Sequence, residues 1–322
     1  MSLGEFALID RFFRACGAAR RDVMLGVGDD AALIECPADR QVVAAIDTLV
    51  EGVHFPAGSP PESIGHRVLA VNLSDMAAMG AEPAWALLAL TLPRADAAWL
   101  AGFSRGLDAL AREHGVALVG GDTTAGPLCA TLQILGTVER GTALTRAGGA
   151  PGDALFVSGT PGDAAAGLEI EQARLAPADS STARVLRERF LLPSPRVALG
   201  RRLRGLASAC IDVSDGLLGD AGKLAQASGC GVELDYDQLP VSPALIDAVG
   251  GERARELALT GGDDYELLFS APPSRIEMLL REAACGGWRI TRIGALREQT
   301  GASVVREGSV IDFSHCGFDH FR

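Results

Sequence analysis

The chain has 322 residues, 48% hydrophobic but only 5% aromatic, with 22% charged and a formal net charge of −12. That length suits two domains better than one, and a core of Ala, Val, Leu and Gly favours close helix-on-sheet packing. The acidic balance argues against nucleic acid and anionic membrane as partners, and no window supplies the ~20 apolar residues of a membrane span.

The N-terminal MSLGEFALIDRFF lacks the basic flank and apolar run of a targeting segment. The seven cysteines are scattered with no C-x-x-C pair. Buried free thiols are expected rather than zinc or disulfides, in a cytoplasmic, reducing compartment.

GEFALIDRFFRAC predicts a helix with Phe6, Leu8, Ile9, Phe12 and Phe13 roughly on one face. DVMLGVGDDAALIE reads strand, turn, strand, and RQVVAAIDTLVEGVHF a strong strand ending in a loop. PPESIGHRVLAVNLSDMAAMGAEP begins a helix at its prolines, its apolar run interrupted by Asn72, Ser74 and Asp75. PAWALLALTLP is a buried strand, and the next helix repeats Trp99, Leu100, Phe103, Leu107 and Leu110 at helical spacing. VALVGGDTTAG reads as a strand followed by a glycine turn, and LCATLQILGTVE as another strand. The polar, Gly-rich RGTALTRAGGAPGD is the best boundary, giving domains over 1–147 and 148–322.

Beyond it, ALFVSG is a strand and GTPGDAAAGLEIEQ turns into a helix, whose start at 159–168 would offer backbone N–H groups to an anion. Residues 180–195 read as a surface segment between helices. CIDVSDGLLGDAGKLAQASG is strand, turn and helix, and GVELDYDQLP a strand. ARELALTGGDDYELLFSA passes from helix to strand, and RITRIGALRE and ASVVREGSVIDF close the chain as strands. The alternation argues for two α/β or α+β domains.

Acids recur beside glycines near apolar strand ends: Asp29, Asp30, Asp47, Asp122, Asp212, Asp215, Asp263 and Asp264, with Asp75 from a helix. Turn chemistry alone accounts for any single pair. Their recurrence suggests a carboxylate set for a hard cation such as Mg²⁺, because carboxylates without neighbouring His or Cys suit such ions. GVGDDA fits the letters of a dinucleotide fingerprint, but its two carboxylates would face a pyrophosphate. GLLGDAGKL lacks the glycine spacing and hydroxyl of a P-loop. The five histidines are scattered, four of them reading as surface or packing residues.

GEFALI, GVGDDAALI, DTLVEGVHF, VNLSDMAAMGAEP, LVGGDTT, LTRAGGAPGD, VSGTPGDAAAGL, DVSDGL, LTGGDDYELLF and GFDHF occur in that order. Together they resemble the thiamine-monophosphate kinase family, within the superfamily of aminoimidazole ribonucleotide synthetase and selenophosphate synthetase. The resemblance implies a homodimer of two-domain subunits. The N-terminal α/β domains would form a barrel-like core, and each C-terminal α+β domain would complete a cleft. It implies a cytoplasmic transferase of thiamine diphosphate biosynthesis that passes phosphate from ATP to thiamine monophosphate, directly and with several Mg²⁺ ions. Metal ligands would be Asp30, Asp47, Thr48, Asp75, Asp122, Asp212 and Asp215. Gly121, Asp122, Arg146 and Ser214 would contact ATP, and His54, Asp263, Glu266 and Phe318 the thiamine monophosphate. Asp75, Asp122 and Arg146 would be catalytic. The family often carries a hydroxyl residue just before the Asp of D-T-L-V, where this chain has Ala45 and Ile46. Two alternatives remain: another ATP-using synthetase of the superfamily, or a non-catalytic metal- or nucleotide-binding protein. The selenophosphate reading expects a reactive Gly-Cys-Lys, whereas Cys16 lies in Ala-Cys-Gly-Ala.

Overall fold

The computed structural model describes residues 4–313 and 317–318. The last residues of the GFDHF motif, with His315, Cys316 and His320, lie outside them. The chain divides into two compact units: Met1–Met76 with Ala81–Gly141, and Ala77–Gly80 with Thr142–Arg322.

The first unit begins with α1 (Glu5–Phe12) and a short hairpin of β1 (Val23–Leu25) and β2 (Leu33–Ile34). It continues through β3 (Arg40–Val50), α2 (Pro61–Ala78), β4 (Glu82–Leu92), α3 (Ala97–Glu113), β5 (Ala117–Ala125) and β6 (Cys129–Glu139). Four of the strands form an open sheet in the order β3-β6-β4-β5, with β4 and β5 parallel and the other pairs antiparallel. Among the described residues the unit closes no barrel.

The helical spacing read from α3 holds, with Leu100, Phe103, Leu107 and Leu110 buried. Asp96 fixes its start by accepting from the amides of Ala98 and Trp99. A Cβ on Gly65 of α2 would lie 2.0 Å from Phe103 O, and one on Gly106 of α3 would lie 1.9 Å from Glu62 O. The α2–α3 crossing is therefore a backbone-to-backbone approach that only glycine permits. Ala130, Leu132 and Ile134 bury one face of β6, while alternate residues of β3 on the opposite face, Val42 and Ile46, are 54% and 62% exposed.

The second unit holds β7 (Ala154–Ser158), α4 (Asp163–Glu171), α5 (Ser180–Leu191), α6 (Val197–Leu203), β8 (Ala209–Val213), α7 (Leu217–Ala227) and β9 (Gly231–Asp235). It ends with α8 (Pro243–Val249), α9 (Gly251–Thr260), β10 (Glu266–Ala271), α10 (Ile276–Gly286), β11 (Ile290–Arg297), β12 (Gly301–Arg306) and β13 (Ser309–Ile311). The sheet order is β13-β12-β9-β11-β7-β10-β8. Every residue of β7, β8 and β10 is buried, as expected of strands covered on both faces.

Two sequence expectations fail here. Residues 180–195 are not a surface segment, since most of them form α5, capped by Asp179 and burying Thr182, Leu186 and Phe190. Gly120 and Gly121 do not end a strand either, because β5 runs through them. A register shift between Ala86 and Leu87 of β4 steps the partner from Leu118 to Gly120, so Val119 is the extra residue of a bulge. Gly121 follows at φ 151°, where a Cβ would sit 1.9 Å from Leu88 O. Only glycine lets the strand continue past that carbonyl to Asp122.

Candidate active site

In the first unit a groove of about 1080 Å³ runs between α1, the Gly28–Ala32 loop and the exposed sheet face. Four carboxylates line it: Asp10, Asp29, Asp30 and Asp122. Asp29 Oδ1 accepts from the Asp30 amide at 2.8 Å, which shapes the loop. Arg14 lies against Gly28, where a Cβ would come within 3.1 Å of its guanidinium. Thr48, Thr131, Ala89 and Asp122 occupy one register row across the four strands, and the Thr48 and Thr131 hydroxyls share a hydrogen bond of 2.9 Å. Asp47, one residue earlier, falls on the other face of β3, with buried Leu49. The strand thus separates these two predicted metal ligands. Asp75 stands half-buried on α2.

His54 lies just after β3, where its Nδ1 accepts from the Val50 amide at 3.0 Å. That bond makes Nδ1 an acceptor and places the imidazole proton on Nε2. The His54 carbonyl accepts from the buried Arg67 at 3.4 Å.

In the second unit, main-chain hydrogen bonds gather several predicted residues around the turn between β8 and α7. Ser214 O accepts from the Asp263 amide and Asp215 O from the Phe318 amide, both at 2.8 Å. Asp263 is half-buried and Phe318 is 55% exposed. Asp212 is buried on β8, and Arg146 is exposed in a loop whose Thr145 carbonyl accepts from the Cys210 amide.

Asp220 and Lys223, neither of them among the site residues expected from sequence, brace this turn. Asp220 Oδ2 accepts from the amides of Ser214 and Asp215 at 3.0 and 3.1 Å. Lys223 Nζ bridges Asp215 at 2.6 Å and Asp220 at 2.8 Å. Burial pushes the Asp220 carboxyl up, opposed by the Lys223 hydrogen bond and charge. The signal was GLLGDAGKL, whose Asp and Lys three apart share a helix face.

The expected anion site at 159–168 is already occupied. Asp264, 1% exposed, accepts from the amides of Gly162 at 2.7 Å and Ala164 at 3.3 Å. Its carboxyl thus satisfies the start of α4 and leaves those two donors unavailable to a phosphate.

Glu266, expected to contact the substrate, is wholly buried at the start of β10. Its carboxylate accepts from Arg189 at 2.7 Å, from Arg196 at 2.6 and 2.5 Å, and from Ser158 Oγ at 2.5 Å. Burial opposes its ionisation, but the Arg196 hydrogen bonds and charge, joined by Arg189 and Ser158, outweigh it and hold the carboxyl below its ordinary value.

Residues 28–138 match the model of the AIR synthase related protein N-terminal domain, and residues 150–305 that of the C-terminal domain. The chain is 47% identical to thiamine-monophosphate kinase of Escherichia coli (strain K12), covering 100% of this chain and 99% of that one. A crystal structure of thiamine-monophosphate kinase from Stenotrophomonas maltophilia K279a is similar at TM-score 0.87 and 48% identity, over 97% of this chain and 99% of that one.

The chain belongs to the thiamine-monophosphate kinase family.

A further family structure, "AaThiL complexed with AMPPCP and TMP", is similar at TM-score 0.78 and 31% identity over 100% of this chain and 99% of that one. Among the described residues, no three His, Cys, Asp or Glu side chains converge as a ready metal cage. The four carboxylates of the groove nonetheless make a hard, oxygen-only donor set. That suits Mg²⁺, which is commonly held by one or two carboxylates together with substrate phosphates rather than by a dedicated protein cage.

Proposed function

We propose that this chain phosphorylates thiamine monophosphate at the expense of ATP, yielding thiamine diphosphate and ADP. The observation that carries the reading is full-length kinship with thiamine-monophosphate kinases, including a relative described with both AMPPCP and TMP. The acceptor phosphate is largely dianionic near neutrality, its second pKa being about 6, and needs no base to remove a proton. The His54 imidazole, with Nδ1 already engaged, suits this by donating from Nε2 to an anionic oxygen. The obstacle is repulsion, about 4 kcal/mol for two unit charges 4 Å apart at an effective dielectric of 20, and both reactants carry several charges.

Asp30, Asp47, Thr48, Asp75, Asp122, Asp212 and Asp215 would hold Mg²⁺, which when bound screens that repulsion. Gly121 and Ser214 would meet ATP, Asp122 would share in that contact, and Arg146 would add a fixed positive charge to the phosphoryl group in transit. Phe318 offers an exposed ring to the thiamine, and Asp263 a carboxylate. Transfer would be direct, because the aspartates otherwise able to attack would serve as the metal ligands.

We place the enzyme in the cytoplasm as a homodimer whose N-terminal units join in a barrel-like core. Among the described residues no helix is long and apolar enough to cross a membrane. The exposed sheet face carrying Val42 and Ile46 supports pairing with a second copy. A screen of phosphate-bearing acceptors tests the activity: thiamine monophosphate should be turned over with ATP, and preference for an acceptor unrelated to thiamine would reject the reading.

A further inference from the structure

The segment that follows α9 takes an unusual path. Asp263 and Tyr265 lie at φ 69° and 51°, the left-handed region that side chains with a Cβ rarely adopt. Two such residues flanking a single position persist only where the surroundings over-determine them. The surroundings are visible on both sides. Between them Asp264 is drawn inward and is 1% exposed, accepting from the amides of Gly162 and Ala164 at the start of α4. One residue beyond Tyr265, Glu266 is held by Arg189, Arg196 and Ser158. The backbone of the flanking residues is tied to the end of β8 and the turn after it, with Asp263 N donating to Ser214 O and Tyr265 N to Val213 O, both at 2.8 Å. Tyr265 Oη then donates to Asp263 Oδ1 at 2.9 Å and orients that carboxylate.

We propose that Asp264 is a positioning residue for substrate: by clamping the centre of the turn to the first turn of α4, it forces Asp263 into the left-handed conformation that presents its carboxylate to thiamine monophosphate. The inference rests on the reading of Asp263 as a substrate contact. Asp264 itself touches no substrate. Its carboxylate is consumed by backbone amides, and its influence passes through the two dihedral angles of its neighbour.

The test is steady-state kinetics on the full chain, varying thiamine monophosphate and ATP separately, for Asp263→Ala, Asp264→Ala and the double variant. Asp264→Ala should raise KM for thiamine monophosphate about tenfold, leave KM for ATP within twofold, and change kcat by no more than a few-fold. Asp263→Ala should raise the same KM, and adding Asp264→Ala to it should cost nothing further, because the second residue acts through the first. If Asp264→Ala does not fold, Asp264→Asn carries the test: it keeps one acceptor oxygen, and KM for thiamine monophosphate should rise about threefold with KM for ATP unmoved. Multiplying effects in the double variant, or equal losses toward both substrates, would overturn the positioning role while leaving Asp263 in the site. An unchanged KM in Asp263→Ala would instead remove Asp263 from the site, and the proposal would fall with it.

Discussion

Replacing Glu266 with Gln tests the account of the second unit most sharply. The substitution keeps shape and one acceptor oxygen but removes the anion that Arg189 and Arg196 share. Those side chains are only 19% and 28% exposed, so water compensates poorly for the lost charge. Removing one partner of a buried ion pair costs about 3–5 kcal/mol. The partial exposure of Arg196 argues for the lower end, about 3 kcal/mol. For a unit of this size each kcal/mol moves Tm by about 2–4 °C, so a fall of roughly 6–12 °C is expected. Thermal unfolding followed by circular dichroism reads it directly.

The pH dependence supplies a second check on the same variant. The Glu266 carboxyl is held below its ordinary value of 4.5 in the folded chain, its burial being outweighed by Arg196. Its stabilisation is therefore present above that value and lost as pH falls through the folded pKa. The gap between parent and variant should be full at pH 7 and shrink in acid. A Tm within about 2 °C of the parent at neutral pH would refute the reasoning, since a fully buried, doubly paired carboxylate cannot be lost so cheaply.

Asp75→Asn and Asp122→Asn should each abolish turnover with circular dichroism unchanged, and activity within a few-fold of the parent would remove that residue from the site. His54→Asn should raise KM for thiamine monophosphate more than it lowers kcat, as suits a donor rather than a base; a large kcat loss at constant KM would reverse that assignment. With a chiral γ-phosphorus, transfer should proceed with a single inversion, and net retention would mean a phosphorylated enzyme.

Much of the fold was legible because local pattern and tertiary packing agree. Leu100, Phe103, Leu107 and Leu110 are buried along one side of their helix as their spacing demands, and Asp96 marks its start. The failures are where the deciding partner is far away. Glu266 lies 77 and 70 residues from Arg189 and Arg196, so nothing near it in sequence says that its charge is already spent. The Gly-rich 159–168 segment looks like a phosphate loop until Asp264, about a hundred positions on, takes its amides. Gly120 and Gly121 read as a turn because their letters cannot show a bulge against β4. The α5 helix hid behind its polar letters, although Asp179 as a cap and Leu186 and Phe190 at i, i+4 marked it. The candidate site was legible through its motifs. Register and backbone hydrogen bonds then added the Thr48–Asp122 row and the turn where Ser214, Asp215, Asp263 and Phe318 meet.

Phosphoryl transfer to thiamine monophosphate is read directly as ADP release in a coupled assay with ATP and Mg²⁺, with and without that acceptor. ADP should form only when thiamine monophosphate is present, in equal amount to thiamine diphosphate, and chelating the Mg²⁺ should stop it. ADP release that ignores the acceptor, or none in its presence, would mean that the chain is not a thiamine-monophosphate kinase in activity.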